Sequence, residues 1–215
     1  MMNQIIKLSE QFVKESLKND VTGHDWHHID RVRKNALNIA DREQRGELFV
    51  IEMAALLHDI ADEKLNVSSE AGKIKLLAFI DTLNLGKAIK EHILDIIFSI
   101  SFKGGNNQEL ASIEAEIVQD ADRLDAIGAI GIARTFAYGG SKGQPIYDPH
   151  IQIREKMTVE EYRNGKTSSI HHFYEKLLKL KDRLNTDAAK QLAESRHEFM
   201  EQFLKEFHSE WNGEA

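Results

Sequence analysis

Apolar side chains recur every third or fourth residue through almost the whole chain, and this spacing constrains the fold more than any other feature. Ile5, Leu8, Phe12 and Leu17 form a first stripe, on a helix that stops near "NDVTGHD". Asp25 is a good N-cap for a second helix reaching about Arg42, with Ile29, Val32, Ala36 and Ile39 inward. A third, "LFVIEMAALLHD", ends on a His-Asp pair, and Ser68 or Ser69 opens a fourth that stops at Gly86. A fifth covers roughly 87–100; after the loop "SFKGGNNQ" come "ELASIEAEIVQDADRLDAIG" and "AIGIARTFAYG". Two late helices follow, a short one in "SSIHHFYEKLLKLKDRL" and a long one with Leu192, Phe199, Phe203 and Phe207 on one side. Both prolines fall in residues 139–157, the only loop-like segment of any length and a candidate lid. No segment alternates at the strand period and none repeats. The expectation is one all-α domain over residues 1–215, with a functional core at about 20–130 and C-terminal helices at about 167–211 packed on it.

Charge and cysteine content narrow the function. A formal net charge of −7 provides no overall footprint for nucleic acid. With no cysteine, thiolate metal sites and disulfides are both excluded, so any metal must be held by His, Asp or Glu. The opening segment is amphipathic and charged, unlike a signal peptide, and no apolar run is long enough to span a bilayer. A cytoplasmic protein without a membrane partner is expected, either monomer or homodimer.

In three places a metal-binding residue type sits where the helical pattern calls for an apolar one. In "GHDWHHIDRV", His28 shares a face with Val32, Ala36 and Ile39, whereas His27 falls with Arg31 and Lys34 on a solvated face. In "LLHDIAD", His58 continues the face of Ile51, Ala54 and Ala55, and Asp59 follows at the helix end. In "IVQDADRLDAIG", Asp122 and Asp125 interrupt a stripe built from Ile117, Ala121 and Leu124. A lone inward histidine is usually a hydrogen-bonded core residue, and a lone His-Asp pair is often a cap. Three such violations in one cysteine-free chain point to a mixed nitrogen and oxygen site made by His28, His58, Asp59 and Asp122. Such a donor set suits a borderline divalent ion and falls short of a protein-only calcium cage.

This pattern, H…HD…D, resembles the HD-domain phosphohydrolase superfamily, and the resemblance covers about residues 20 to 200. The motifs "GHDWHHIDRV", "LLHDIAD", "QDADRLDAIGAIGIARTF" and "RHEFMEQFL" are further similar to a small bacterial subfamily, the YpgQ-like proteins. The resemblance implies a single HD-domain helical bundle with metal ligands at His28, His58, Asp59 and Asp122. It also implies hydrolysis of phosphate esters or anhydrides, and for the subfamily a (deoxy)nucleoside triphosphate cleaved with release of pyrophosphate. Members with two metals carry extra histidines between the HD pair and the last Asp. Only His92 lies in that interval here, which favours one divalent ion: Mn, Ni, Co, Fe, Zn or Mg.

Supporting roles fall to neighbours of these motifs. Lys64, Lys103, Arg31 and Arg123 are candidates for neutralising substrate phosphates. Asp62 and Asp125 are candidates for orienting a ligand or accepting a proton, and His24 for general acid. Asp25 is an N-cap or a hydrogen-bond partner to an imidazole. The expected partner is a phosphorylated small molecule, a nucleotide on the subfamily resemblance. The competing readings are a 5′-nucleotidase or phosphodiesterase on the same scaffold and a nucleotide-binding regulator without turnover.

Overall fold

A computed structural model describes residues 2–18, 23–62, 65–100, 110–154, 158 and 165–214. Among them the protein is all-α: nine α-helices and two short 3₁₀ turns, with no strand. None of these helices is long and apolar enough to cross a membrane. The chain divides into two compact units, Met1–Ala121 and Asp122–Ala215.

The first unit is built around its most apolar helix. It contains α1 (Met2–Ser16), α2 (Trp26–Glu43), α3 (Leu48–Leu57), α4 (Ser69–Thr82) and α5 (Lys87–Ile100). The helix α6 (Ile113–Asp125) carries the division between the units within its own length. Val50, Ile51 and every residue of α3 from Met53 to Leu57 are buried. A helix that is apolar on all sides must be surrounded, and α1, α2 and α5 pack around α3. The polar exception, Glu52, accepts from Arg33 Nε on α2 at 2.7 Å, and Arg33 Nη1 also donates to Glu10 on α1 at 2.6 Å. One guanidinium thus ties three helices together at the rim of the core.

Most expected helices lie where their spacing puts them. α2 buries Ile29, Val32, Ala36 and Ile39; Ser68 caps α4, its side chain accepting from Ala71 N–H. On α1 the inward face is rotated from the expected stripe: Leu8 is 48% exposed, while Ser9 is buried with its hydroxyl donating to Met53 Sδ at 3.5 Å. Phe12 stacks on Phe79 of α4 at 3.8 Å between ring centroids.

The second unit holds α7 (Gly128–Ser141), α8 (Ser169–Glu175), the 3₁₀ turns Leu177–Lys179 and Lys181–Arg183, and α9 (Asp187–Asn212). α9 packs along α7 and buries Ala189, Ala193, Met200 and Leu204. Phe199, expected on the inward side, is half exposed. The described part of the 139–157 segment is strapped to α8. Ser169 N–H donates to Pro145 O at 3.1 Å and Ile170 N–H to Ile146 O at 3.0 Å. Arg154 meets buried Glu175 through two bonds of 2.7 Å.

Candidate metal centre

The first histidine of the site is placed by a helix start. Asp25 takes extended backbone angles, and its carboxylate accepts from His28 N–H at 2.9 Å, satisfying one of the amides a helix start leaves unpaired. This fixes the first turn of α2 and turns His28 inward, where it is fully buried; His27, its neighbour, is exposed. Gly23 has φ +90°, a conformation that strains a residue with a side chain, and it turns the chain into His24.

The HD pair is placed by a helix end. His58 caps the C-terminus of α3, and its Nδ1 lies 2.8 Å from the carbonyl of Ala55. A carbonyl only accepts, so Nδ1 carries the hydrogen and Nε2 carries the lone pair of the neutral ring. Asp59 follows, buried. Its Oδ2 is 2.8 Å from His24 Nδ1 and 3.3 Å from His28 Nε2, and its Oδ1 is 3.4 Å from His58 Nε2. The His28 ring lies edge-on to both other imidazoles, with centroids 5.5 Å from His24 and 5.4 Å from His58.

A buried carboxylate is costly to ionise without compensation. Burial pushes Asp59 up, but the electrostatic influence of the adjoining His58 and the hydrogen bonds from His24 and His28 outweigh it and hold the carboxyl well below its ordinary range. Imidazole nitrogens and a carboxylate gathered this closely are the mixed nitrogen and oxygen donors that a borderline divalent cation takes. The donor set therefore fits a divalent cation: His24, His28 and Asp59 each offer a ligand atom, all within 4.8 Å of one another. The His58 tautomer, set by Ala55, leaves the correct nitrogen for ligation.

The remaining sequence candidates fall in several places. Asp25 spends its carboxylate on the His28 backbone as an N-cap. Asp62 is half-buried just beyond the HD pair, its N–H bonded to Asp59 O at 3.0 Å and its carbonyl accepting from Asn66 at 2.7 Å. Arg31 is half-buried on α2. Asp122 is half-buried and is the first residue of the second unit, still on α6. Arg123 donates to the carbonyl of Arg183. Asp125 is buried and accepts from Arg134 Nη1 at 2.7 Å, an ion pair. Lys64 and Lys103 lie outside the described residues. His92, the extra histidine of the interval, sits 3.4 Å from Glu114 Oε2 and is not part of the His24, His28 and Asp59 group.

The contact that sequence reasoning missed is the one between His24 and Asp59. His24 precedes the N-cap, so helical phase says nothing about where it points. The usable signal was the order glycine, histidine, capping aspartate: a left-handed turn followed at once by a fixed helix start leaves the intervening side chain little choice of direction.

The HD-domain model matches residues 25–127, a span that starts at the α2 cap and takes in the HD pair and α6. With this match, the full-length relationships below and an imidazole–carboxylate cluster suited to a cation, the chain belongs to the HD-domain family of metal-dependent phosphohydrolases. It is 38% identical to the YpgQ protein of Bacillus subtilis, over 97% of this chain and 96% of that one. A crystal structure from Lactobacillus plantarum superposes with a TM-score of 0.88 at 39% identity, covering 98% of each chain. A crystal structure of an HD-superfamily hydrolase from Bacillus thuringiensis is 49% identical over 99% of each chain, with a TM-score of 0.77. The crystal structure of B. subtilis YpgQ in complex with ADP has a TM-score of 0.76 at 35% identity, covering 100% of each chain.

Proposed function

We propose that this chain hydrolyses nucleotides at one divalent metal ion, and that its substrates are (deoxy)nucleoside triphosphates cleaved with release of pyrophosphate. The observation that carries the reading is the convergence of three imidazoles on one buried carboxylate, with His58 Nε2 prepared for ligation by the Ala55 carbonyl. The YpgQ structure with bound ADP supports a nucleotide as the ligand class.

His28, His58 and Asp59 hold the ion, and Asp122 joins them on the family resemblance. When bound, such an ion acidifies a water and polarises a phosphoryl oxygen. Asp62, which directly follows the turn after α3, is assigned to orienting that water or accepting its proton. Arg31 lies within the first motif one turn beyond His28, Lys64 follows the second, Arg123 abuts Asp122, and Lys103 lies in the "SFKGG" loop; all four are assigned to the charge of the phosphates. Asp125 is assigned to supporting the ligand-bearing end of α6, through its ion pair with Arg134.

The test is a metal-stripped protein reloaded separately with Mn, Ni, Co, Fe, Zn or Mg and offered a panel of nucleoside mono-, di- and triphosphates. Pyrophosphate release from triphosphates is expected. Orthophosphate with free nucleoside would make it a nucleotidase, and binding without turnover for every metal would refute hydrolysis. His58→Ala is expected to abolish both bound metal and activity; retention of either removes His58 from the ligand set.

A further inference from the structure

His24 lies outside the four-residue ligand pattern, yet it makes the shortest contact in the cluster. Its Nδ1 is 2.8 Å from Asp59 Oδ2, against 3.3 and 3.4 Å for the His28 and His58 nitrogens. In a hydrogen bond between an imidazole nitrogen and the Oδ2 of an aspartate that contacts three imidazoles, the nitrogen is the donor, so the hydrogen belongs to His24 Nδ1. The His24 ring stands at 84° to that of His28, edge against face, and its side chain is 20% exposed, so it is held on one side and open to water on another. The turn at Gly23 and the cap at Asp25 fix the backbone on either side of it.

The geometry points to His24 as a positioning residue for the metal ligand Asp59: its Nδ1–H holds Oδ2 and so sets the plane in which the carboxylate presents itself to a cation. Proteins commonly use carboxylates to orient ligating histidines; here the direction is reversed, and an imidazole orients a ligating carboxylate. The logic is rotational. The carboxylate of an aspartate turns easily about its last torsion, which has broad minima. Asp59 sits at the end of α3, where the backbone is fixed but that torsion is not. One donor on Oδ2 removes the freedom and keeps Oδ1 toward His58. The inference rests on the reading of the cluster as a metal centre.

The experiment uses the full chain, stripped of metal, with Mn²⁺ titrated calorimetrically into the wild type and into His24→Ala, His24→Asn and His24→Gln. Melting of the metal-free proteins confirms that each is folded; His24 is partly exposed and outside any helix, so the melts are expected to match. Asn places an amide donor where Nδ1 was, and Gln places one where Nε2 was. His24→Ala is expected to weaken Mn²⁺ binding by about 10- to 100-fold, the range for residues that orient ligands, with His24→Asn recovering most of the loss and His24→Gln little. Unchanged affinity in His24→Ala overturns the inference. Rescue by Gln but not Asn overturns it as well, by making Nε2 the working atom, and so does rescue by neither. Failure of the wild type itself to bind Mn²⁺ or any other divalent ion tested would bring down the metal-centre reading, and the inference with it, an outcome distinct from a loss confined to the variants.

Discussion

Arg154→Ala isolates the strap that holds the described part of the 139–157 segment to α8. Arg154 donates through Nε and Nη2 to the two oxygens of Glu175, each at 2.7 Å, and Thr167 Oγ1 adds a third donor at 3.0 Å. The Glu175 side chain is 1% exposed and that of Arg154 is 20% exposed. Removing one partner of a buried ion pair costs about 3–5 kcal/mol, because the other charge is stranded. Water reaches the Arg154 side of this pair, so the lower end applies, about 3 kcal/mol at neutral pH. Burial pushes Glu175 up, and the bonds from Arg154 and Thr167 more than offset it, holding the carboxyl below its ordinary 4.5. A carboxyl depressed in the folded state contributes stability that is fully present above its unfolded value and is lost as pH falls through the folded value. In the variant the guanidinium's part of the offset is gone while the Thr167 bond remains, and Glu175 takes up a proton more readily. The penalty is therefore expected to shrink as pH falls from 7 toward about 4, below that ordinary value. Urea denaturation of both proteins at the two pH values measures it. A penalty under about 1 kcal/mol at pH 7, or one of equal size at both, refutes a stranded charge as the cause. In a Glu175→Gln background the same substitution is expected to cost much less, since no charge remains to strand.

Two further outcomes follow from local geometry. Gly131→Ala should raise helix propensity by about 1 kcal/mol, but the new Cβ would stand 2.2 Å from the Ala126 carbonyl oxygen, in backbone that cannot step aside. Net destabilisation in urea is expected, and a stabilised variant would show that the turn between α6 and α7 yields. Asp25→Ala removes the cap on α2 and is expected to cost about 1 kcal/mol in denaturation and to weaken metal binding with it, because the capped amide belongs to His28. Asp25→Asn, which retains an accepting oxygen, should lose little of either, and equal losses in both variants would deny the cap.

Helical phase made the fold class and much of the site legible. His28 and His27 are neighbours in sequence, and only the position of one relative to Val32 and Ala36 separates a buried imidazole from an exposed one. The same arithmetic failed where side-chain size was allowed to vote. Phe199, expected on one side of α9 with Leu192, Phe203 and Phe207, is half exposed, while the small residues Ala189 and Ala193 are buried with Met200 and Leu204, because close helix packing favours small side chains at the contact. Leu8 lost its place to Ser9 for a related reason: a serine whose hydroxyl finds the Met53 sulfur can be buried without penalty. His24 lay beyond the reach of periodicity, since it belongs to a turn. Asp125 was marked as an inward acid, but its partner Arg134 sits on the next helix, past the Gly128 turn, and no spacing rule spans that bend.

α3 has no face to spare. Its core residues contact the surrounding helices on every side, and its last turn ends in the HD pair. A site at the tip of an exposed helix can drift, and selection can adjust its chemistry while leaving the core alone. Here any change that repacks Met53, Leu56 or Leu57 moves the histidine and aspartate that follow. Mutational paths toward a more stable protein and toward a different metal preference therefore run through the same few residues. Transplanting the HD pair into another scaffold would require transplanting its packing as well.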